Sequence, residues 1–147
     1  MENSKGSPRN IDKKPTKKLP TPPPENLTLT EKFVWVAHND LEAVKAMLAQ
    51  HPHLINATYN ETNMETALGA ACQVKNIEII EYLLAHGAEM DIFAACVLGK
   101  TTEVLKMLEA DPKLIKAKNR HGHNHTLLRS AERHPELVVL LKNRGAK

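Results

Sequence analysis

Aromatic side chains are scarce in this sequence, since Phe, Trp and Tyr make up only 3% of its 147 residues. A hydrophobic core must therefore be built from Leu, Ile, Val and Ala. Such a core favours closely packed helices, because sheets prefer β-branched and aromatic residues. We predict an all-α fold.

A long apolar run is also missing. No segment approaches the roughly 18 apolar residues that a membrane span requires, and the N-terminal residues contain no apolar segment typical of a secretory signal. Two cysteines are too few for a disulfide framework. We therefore expect a cytoplasmic protein without a membrane partner.

The motifs of common enzyme classes are missing as well. The six glycines form no phosphate-binding loop, and no nucleophile elbow, zincin helix or paired-cysteine zinc pattern occurs. We expect a protein that is not an enzyme and that has no catalytic residue, cofactor or metal ion.

The first 29 residues differ from the rest of the chain. They hold six of the nine prolines and six of the 20 Lys and Arg residues. With so few apolar residues, the segment cannot bury enough surface to offset its ordering entropy. We predict a disordered, basic, Pro-rich tail over residues 1–29, which could also dock a proline-recognising domain or contact nucleic acid.

From residue 30 onward, apolar residues recur at helical spacing, as at Leu41, Val44 and Leu48. The helices are short and come in pairs. Thr30 is a suitable N-cap for the first helix, and Gly87 and Gly145 are typical of helix ends. Because helices of about three turns are unstable alone in water, the pairs must stack on each other.

These pairs resemble ankyrin repeats, in which a Thr-Pro-Leu-His-x-Ala-Ala helix is followed by two variable residues, Gly, and a second helix that ends in Leu-Leu and Gly-Ala. The second pair is the most similar, with Thr66-Ala67-Leu68-Gly69-Ala70-Ala71, Leu83-Leu84 and Gly87-Ala88. The other pairs keep parts of the motif. The equivalent first residues are Thr30, Thr66, Met90 and Asn124.

The resemblance implies an α-solenoid of about four helix pairs in a domain over residues 30–147, with short or missing β-hairpin fingers. The repeats are expected near residues 30–63, 64–89, 90–122 and 123–147. The third follows the second so closely that one finger is missing. Residues 115–122 resemble a finger, with Gly122 in its glycine position. Thr126 is an alternative first residue of the fourth repeat, if its first helix is two residues shorter.

Ankyrin repeats bind proteins through finger tips and first helices. The resemblance therefore implies a non-catalytic interaction module of the adaptor or inhibitor type, monomeric on its own. The candidate partner-binding residues lie on the predicted finger and on positions of the first helices that we expect to be exposed: Arg120, His121, His123, His38, Gln73, Val74, Val97, Leu98 and Trp35. Arg129 and Glu132 are further candidates.

Trp35 stands where the family usually has Ala. It is either a core filler of a capping repeat, whose outer face lacks a neighbour, or an exposed anchor for a partner or for the Pro-rich tail. Cys72 and Cys96 share one repeat position that needs a small side chain. Packing as small hydrophobic residues is favoured over redox or metal chemistry, because stacked helices hold equivalent positions about 10 Å apart, beyond disulfide reach.

Three histidines, His121, His123 and His125, alternate along the predicted finger. In an extended strand they would point to one side and could hold zinc or nickel. Otherwise they lie on a finger tip that is exposed to solvent.

Charge is unevenly distributed. Residues 30–111 carry 12 acidic and five basic groups, whereas residues 112–147 carry nine basic and two acidic groups. The alternative function is therefore association with nucleic acid through the tail and the basic C-terminal repeat. That repeat, however, has no Phe, Tyr or Trp residue to stack on bases, which favours a solvated basic face or a face that docks an acidic protein.

Overall fold

The computed structural model describes residues 22–58, 65–119 and 124–147, and these residues contain eight α-helices. In chain order the helices are α1 Leu29–Val36, α2 Leu41–Gln50, α3 Ala67–Gln73, α4 Ile77–Ala85, α5 Ile92–Val97, α6 Thr101–Ala110, α7 Leu127–Ser130 and α8 Pro135–Asn143. Two short 3-10 helices, Pro52–Asn56 and Pro112–Lys116, follow α2 and α6. The predicted all-α fold of four helix pairs is confirmed.

The pairs stack in a row, in which the first helices α1, α3, α5 and α7 each pack on the next. Contacts between the first helices of neighbouring repeats are more extensive than contacts between their second helices. Elements on the inner side of a bent row lie closer together than those on the outer side. The row therefore curves, with the first helices on its concave side.

Aliphatic side chains fill the core, as the scarcity of aromatics predicts. One cluster surrounds Ile79, Ile80 and Leu83 and reaches from the first repeat to α5 of the third. A second cluster surrounds Leu127 and Leu141 in the last two repeats. Residues 67–72 of α3 and 92–97 of α5 are all buried. These two helices have a neighbour on each side in the row, which explains why they are apolar all round.

Three of the first helices are capped by residues other than the predicted first residues of their repeats. Thr28, not Thr30, caps α1, because its Oγ1 accepts from the Glu31 N–H at 3.1 Å while Glu31 Oε1 accepts from the Thr28 N–H at 3.0 Å. In the third repeat the cap is Asp91, since Met90 has no oxygen that could accept such a bond.

In the fourth repeat, Thr126 Oγ1 accepts from the Arg129 N–H at 3.2 Å and caps α7. Asn124 has a positive φ of 56° and lies before the helix. The alternative register, with a shorter first helix, is therefore the observed one.

The predicted finger at residues 115–122 begins later than expected. Ile115 and Lys116 end the 3-10 helix. Lys118 then forms an isolated antiparallel bridge with Thr126, and the Asn119 N–H donates to the His125 carbonyl at 2.8 Å. Residues 120–123, including the predicted tip, lie outside the described residues, as do residues 1–21 of the predicted tail.

None of the helices in the described part of the chain combines the length and the apolar character needed to cross a membrane.

Candidate partner-binding surface

The turns that join each first helix to its second helix are linked to one another along the row. In the first two repeats, a ring nitrogen of His38, Nε2, lies 3.3 Å from Gln73 Oε1. The other ring nitrogen, Nδ1, donates to the Trp35 carbonyl at 3.0 Å, because a carbonyl oxygen can only accept. The His38 ring therefore connects its own helix to the neighbouring repeat.

A second type of link recurs along the row. The residue directly before a second helix donates from its side chain to a carbonyl in the preceding turn. Asn76 Nδ2 donates to the His38 carbonyl at 3.2 Å, and His134 Nε2 donates to the Val97 carbonyl at 2.8 Å. These bonds satisfy backbone oxygens at helix ends and fix the position of one repeat against the next.

An ion pair joins the second turn to the fourth. The Lys75 ammonium lies 2.8 Å from Glu132 Oε2, and Arg129 Nε lies 3.8 Å from the same oxygen. The hydrogen bond and the charge of Lys75 are the main reasons why the pKa of Glu132 is below its usual value, with smaller contributions from Arg129 and Arg133. The Glu132 carboxylate is thus held in its charged form.

The predicted partner-binding residues differ in their exposure. Val74 has 47% of its surface exposed, while His38, Gln73 and Leu98 are half-buried. The expected exposure of Val97 is wrong, because this residue is only 2% exposed. It belongs to α5, which is enclosed between α3 and α7, so that its side chain turns into the core.

Trp35 is 37% exposed on α1. The ring is therefore partly packed and partly accessible, which is compatible with both of its predicted roles. The remaining candidates, Arg120, His121 and His123, lie outside the described residues, and their part in binding stays a prediction.

Both cysteines are buried and form no disulfide. Burial raises the pKa of Cys96 to about 12 and that of Cys72 well above its usual value. A thiol that stays protonated is a poor nucleophile and a poor metal ligand, which agrees with the packing role. No group of His, Cys, Asp or Glu side chains that could hold a metal ion occurs among the described residues; His121 and His123 lie outside them.

Sequence reasoning missed Lys75 and His134. Lys75 takes the motif position that the family fills with Gly, and its φ of 55° is in the left-handed region that favours glycine. A lysine where the motif has glycine was the feature of the sequence that could have drawn attention to this residue. The role of His134 had no comparable local signal, since its partner Val97 lies in the preceding repeat.

The curved row of helix pairs defines a helical repeat protein. The ankyrin-repeat family model matches residues 63–96, so this part of the chain is an ankyrin repeat. BRCA1-associated RING domain protein 1 of Caenorhabditis elegans is 40% identical over 87 residues, which cover 59% of this chain and 12% of that protein. The chain thus corresponds to a small part of this relative. No solved structure matches the chain.

Ankyrin repeats are a fold for protein–protein interaction, and the matched repeat implies an interaction module.

Proposed function

We propose that the chain binds a partner polypeptide in the cytoplasm, through the first helices and the turns that follow them, and acts as an adaptor or an inhibitor. The observation that carries the proposal is the exposure of Val74 and Trp35. Three of the four large apolar side chains that are exposed among the described residues lie in this part of the fold: Leu29, Trp35 and Val74.

Exposed apolar side chains surrounded by polar groups are typical of protein interfaces, and Trp is enriched among the residues that contribute most to binding. Trp35 is the only tryptophan of the chain. Its helix is connected to the next repeat by His38, whose ring and carbonyl contact Gln73 and Asn76. The two apolar side chains therefore belong to neighbouring, connected repeats.

A rigid surface supports the same proposal. The bonds from Asn76 and His134 and the ion pair between Lys75 and Glu132 hold the turns in place. A surface that is already ordered loses less conformational entropy on binding, and more of the contact energy contributes to affinity. Arg120, His121 and His123 would extend this surface beyond the pairing of Lys118 with Thr126.

A pull-down from the cells of origin tests the proposal. The double variant Trp35→Ala/Val74→Ser should recover much less of the partner than the wild type. The matched control is Val139→Ser on α8, which also removes an exposed apolar side chain, 57% exposed, but outside this surface. Equal recovery with all three proteins would contradict the proposal.

The contribution of the finger is tested separately with the triple variant Arg120→Ala/His121→Ala/His123→Ala. Reduced recovery of the partner is expected. Recovery equal to that of the wild type would remove the finger from the binding surface while leaving the role of Trp35 and Val74 intact.

Association with nucleic acid is the second candidate, and the basic residues of the C-terminal repeat favour it. Phosphate contacts make such binding fall steeply with salt. Filter binding of labelled DNA and RNA in rising salt tests this candidate, and no retention even at low salt would exclude it.

A further inference from the structure

A cavity opens between the base of the last finger and the C-terminal turn, outside the surface described above. Its volume is about 270 Å³. The lining combines three lysines with small or aliphatic residues: Lys116, Lys118, Lys147, Ile115, Ala117 and Gly145. We call it the basic cavity.

The apolar residues that line the basic cavity pack against the hydrophobic core. Ile115 and Ala117 are half-buried and pack against the second core cluster. The Ala117 N–H donates to the Leu114 carbonyl at 2.9 Å, and the next residue, Lys118, pairs with Thr126. The apolar part of the lining therefore belongs to the folded repeat and exists before any ligand binds.

The lysines of the basic cavity are not paired with acidic side chains among the described residues. No acidic residue within the part of the chain that the structure describes lines the cavity, and its three lysines are exposed. Only two acidic residues occur after residue 111. Of these, Glu132 is paired with Lys75 and Arg129, and Glu136 lines a different cleft, beside Gly99 and His134.

A lining that combines three like charges with apolar residues attracts an anionic ligand that also carries an apolar group. A nucleic acid fits this combination poorly, because residues 112–147 contain no Phe, Tyr or Trp residue on which a base could stack. A polypeptide can place carboxylates beside the lysines and an aliphatic side chain over Ile115 and Ala117.

We propose that the basic cavity binds an acidic segment of a partner polypeptide. This inference rests on the proposed function only in that the partner is a protein. It adds a second point of contact, and it specifies the chemistry of the segment: Asp and Glu residues on both sides of an aliphatic residue.

Fluorescence anisotropy with a labelled peptide tests the inference. The probe is a peptide of Asp and Glu residues with a central Leu, and the matched probe carries Asn and Gln instead of the acids. The cavity variant is Lys116→Gln/Lys118→Gln/Lys147→Gln. The control variant Lys113→Gln/Lys142→Gln/Arg144→Gln removes the same amount of charge from exposed residues of the same region that do not line the cavity.

The acidic peptide should bind the wild type, and the neutral peptide should not. The cavity variant should weaken binding by about tenfold or more, while the control variant changes it by about threefold at most, because rim charges outside the contact act mainly through the long-range field. Circular dichroism checks that both variants remain folded. Equal weakening by both variants, or no binding of the acidic peptide to the wild type, would overturn the inference.

Two further binding measurements distinguish the acidic polypeptide from a nucleic acid, and the basic cavity from the surface around Trp35 and Val74. A single-stranded oligonucleotide of equal charge should bind less tightly than the acidic peptide, and equal or tighter binding that depends on the cavity lysines would overturn the choice of a polypeptide. The Trp35→Ala/Val74→Ser variant should keep its affinity for the peptide. If the wild type fails to bind the peptide but still recovers a partner through Trp35 and Val74, only the cavity inference fails.

Discussion

The Lys75 ammonium lies 2.8 Å from Glu132 Oε2, which joins the second repeat to the fourth across the turn of the third. The Lys75 side chain is only 7% exposed, whereas that of Glu132 is 49% exposed. A buried ammonium without a partner is strongly destabilising. The pair therefore links repeats that are not neighbours in the chain, in a fold whose stability otherwise comes from nearest neighbours.

The variant Glu132→Gln should lower the free energy of unfolding at neutral pH, because it leaves the Lys75 charge without its carboxylate. The pKa of Glu132 is lowered in the folded state. Its contribution to the free energy of unfolding is therefore fully present above the ordinary pKa of glutamate, about 4.3. It is lost as the pH falls through the lower folded value. Urea unfolding over a pH series measures this.

The difference in the free energy of unfolding between the wild type and Glu132→Gln should therefore be constant near neutral pH and should vanish in acid. Glu81→Gln, at an exposed carboxylate of α4, is the control and should have little effect at any pH. A difference for Glu132→Gln that persists undiminished in acid would mean that the side chain stabilises the fold through packing and not through its charge.

Gly99→Ala should destabilise the protein more than Gly87→Ala. Both glycines have positive φ, 70° and 102°, where a side chain is strained. A Cβ on Gly99 would also lie 2.6 Å from His134 Nδ1, whereas a Cβ on Gly87 would meet no atom within 4 Å. The His134 ring is held by its bond to Val97 and must give up that bond to move.

We expect each Gly-to-Ala change to cost about 1 kcal/mol or more for the backbone strain, and Gly99→Ala to cost a further ~1 kcal/mol for the lost hydrogen bond. Thermal unfolding of both variants measures the difference. Equal melting temperatures would show that the His134 ring moves freely.

Thr28→Ala should cost about 1 kcal/mol of stability, because it removes the side-chain acceptor of the capping box at the start of α1. Thr30→Ala is the matched control, since Thr30 lies inside the helix and should tolerate the change within about 0.5 kcal/mol. Chemical unfolding distinguishes the two positions. A larger loss for Thr30→Ala would support the start predicted from the sequence over the one observed.

Leu83→Ala and Leu108→Ala should each destabilise the protein by about 2–5 kcal/mol, because Leu83 is fully buried and Leu108 is 5% exposed in second helices. The control is Val139→Ala, at an exposed position of α8. Its effect should stay within about 0.5 kcal/mol. Urea midpoints for Leu83→Ala and Leu108→Ala close to that of Val139→Ala would show that these leucines do not hold the repeats together.

The sequence by itself determined the type of fold. The helical spacing of aliphatic residues, as in Leu41, Val44 and Leu48, can be recognised within a short stretch of sequence. The same holds for the small residues at Ala71 and Cys72. Both follow from the geometry of a single helix pair, which cannot bury its apolar face alone. The stacked pairs and the aliphatic core could therefore be predicted without knowing how the repeats meet.

Only the tertiary structure decided which residues meet between repeats. The burial of Val97, the bond from His134 to its carbonyl and the pairing of Lys75 with Glu132 depend on the angle and offset at which helix pairs stack. The choice of Thr28 over Thr30 as the cap of α1 likewise depends on the backbone conformation, because either threonine could serve as an N-cap. Contacts between residues far apart in the chain have no local pattern, so the stacked repeats must be seen before these contacts can be named.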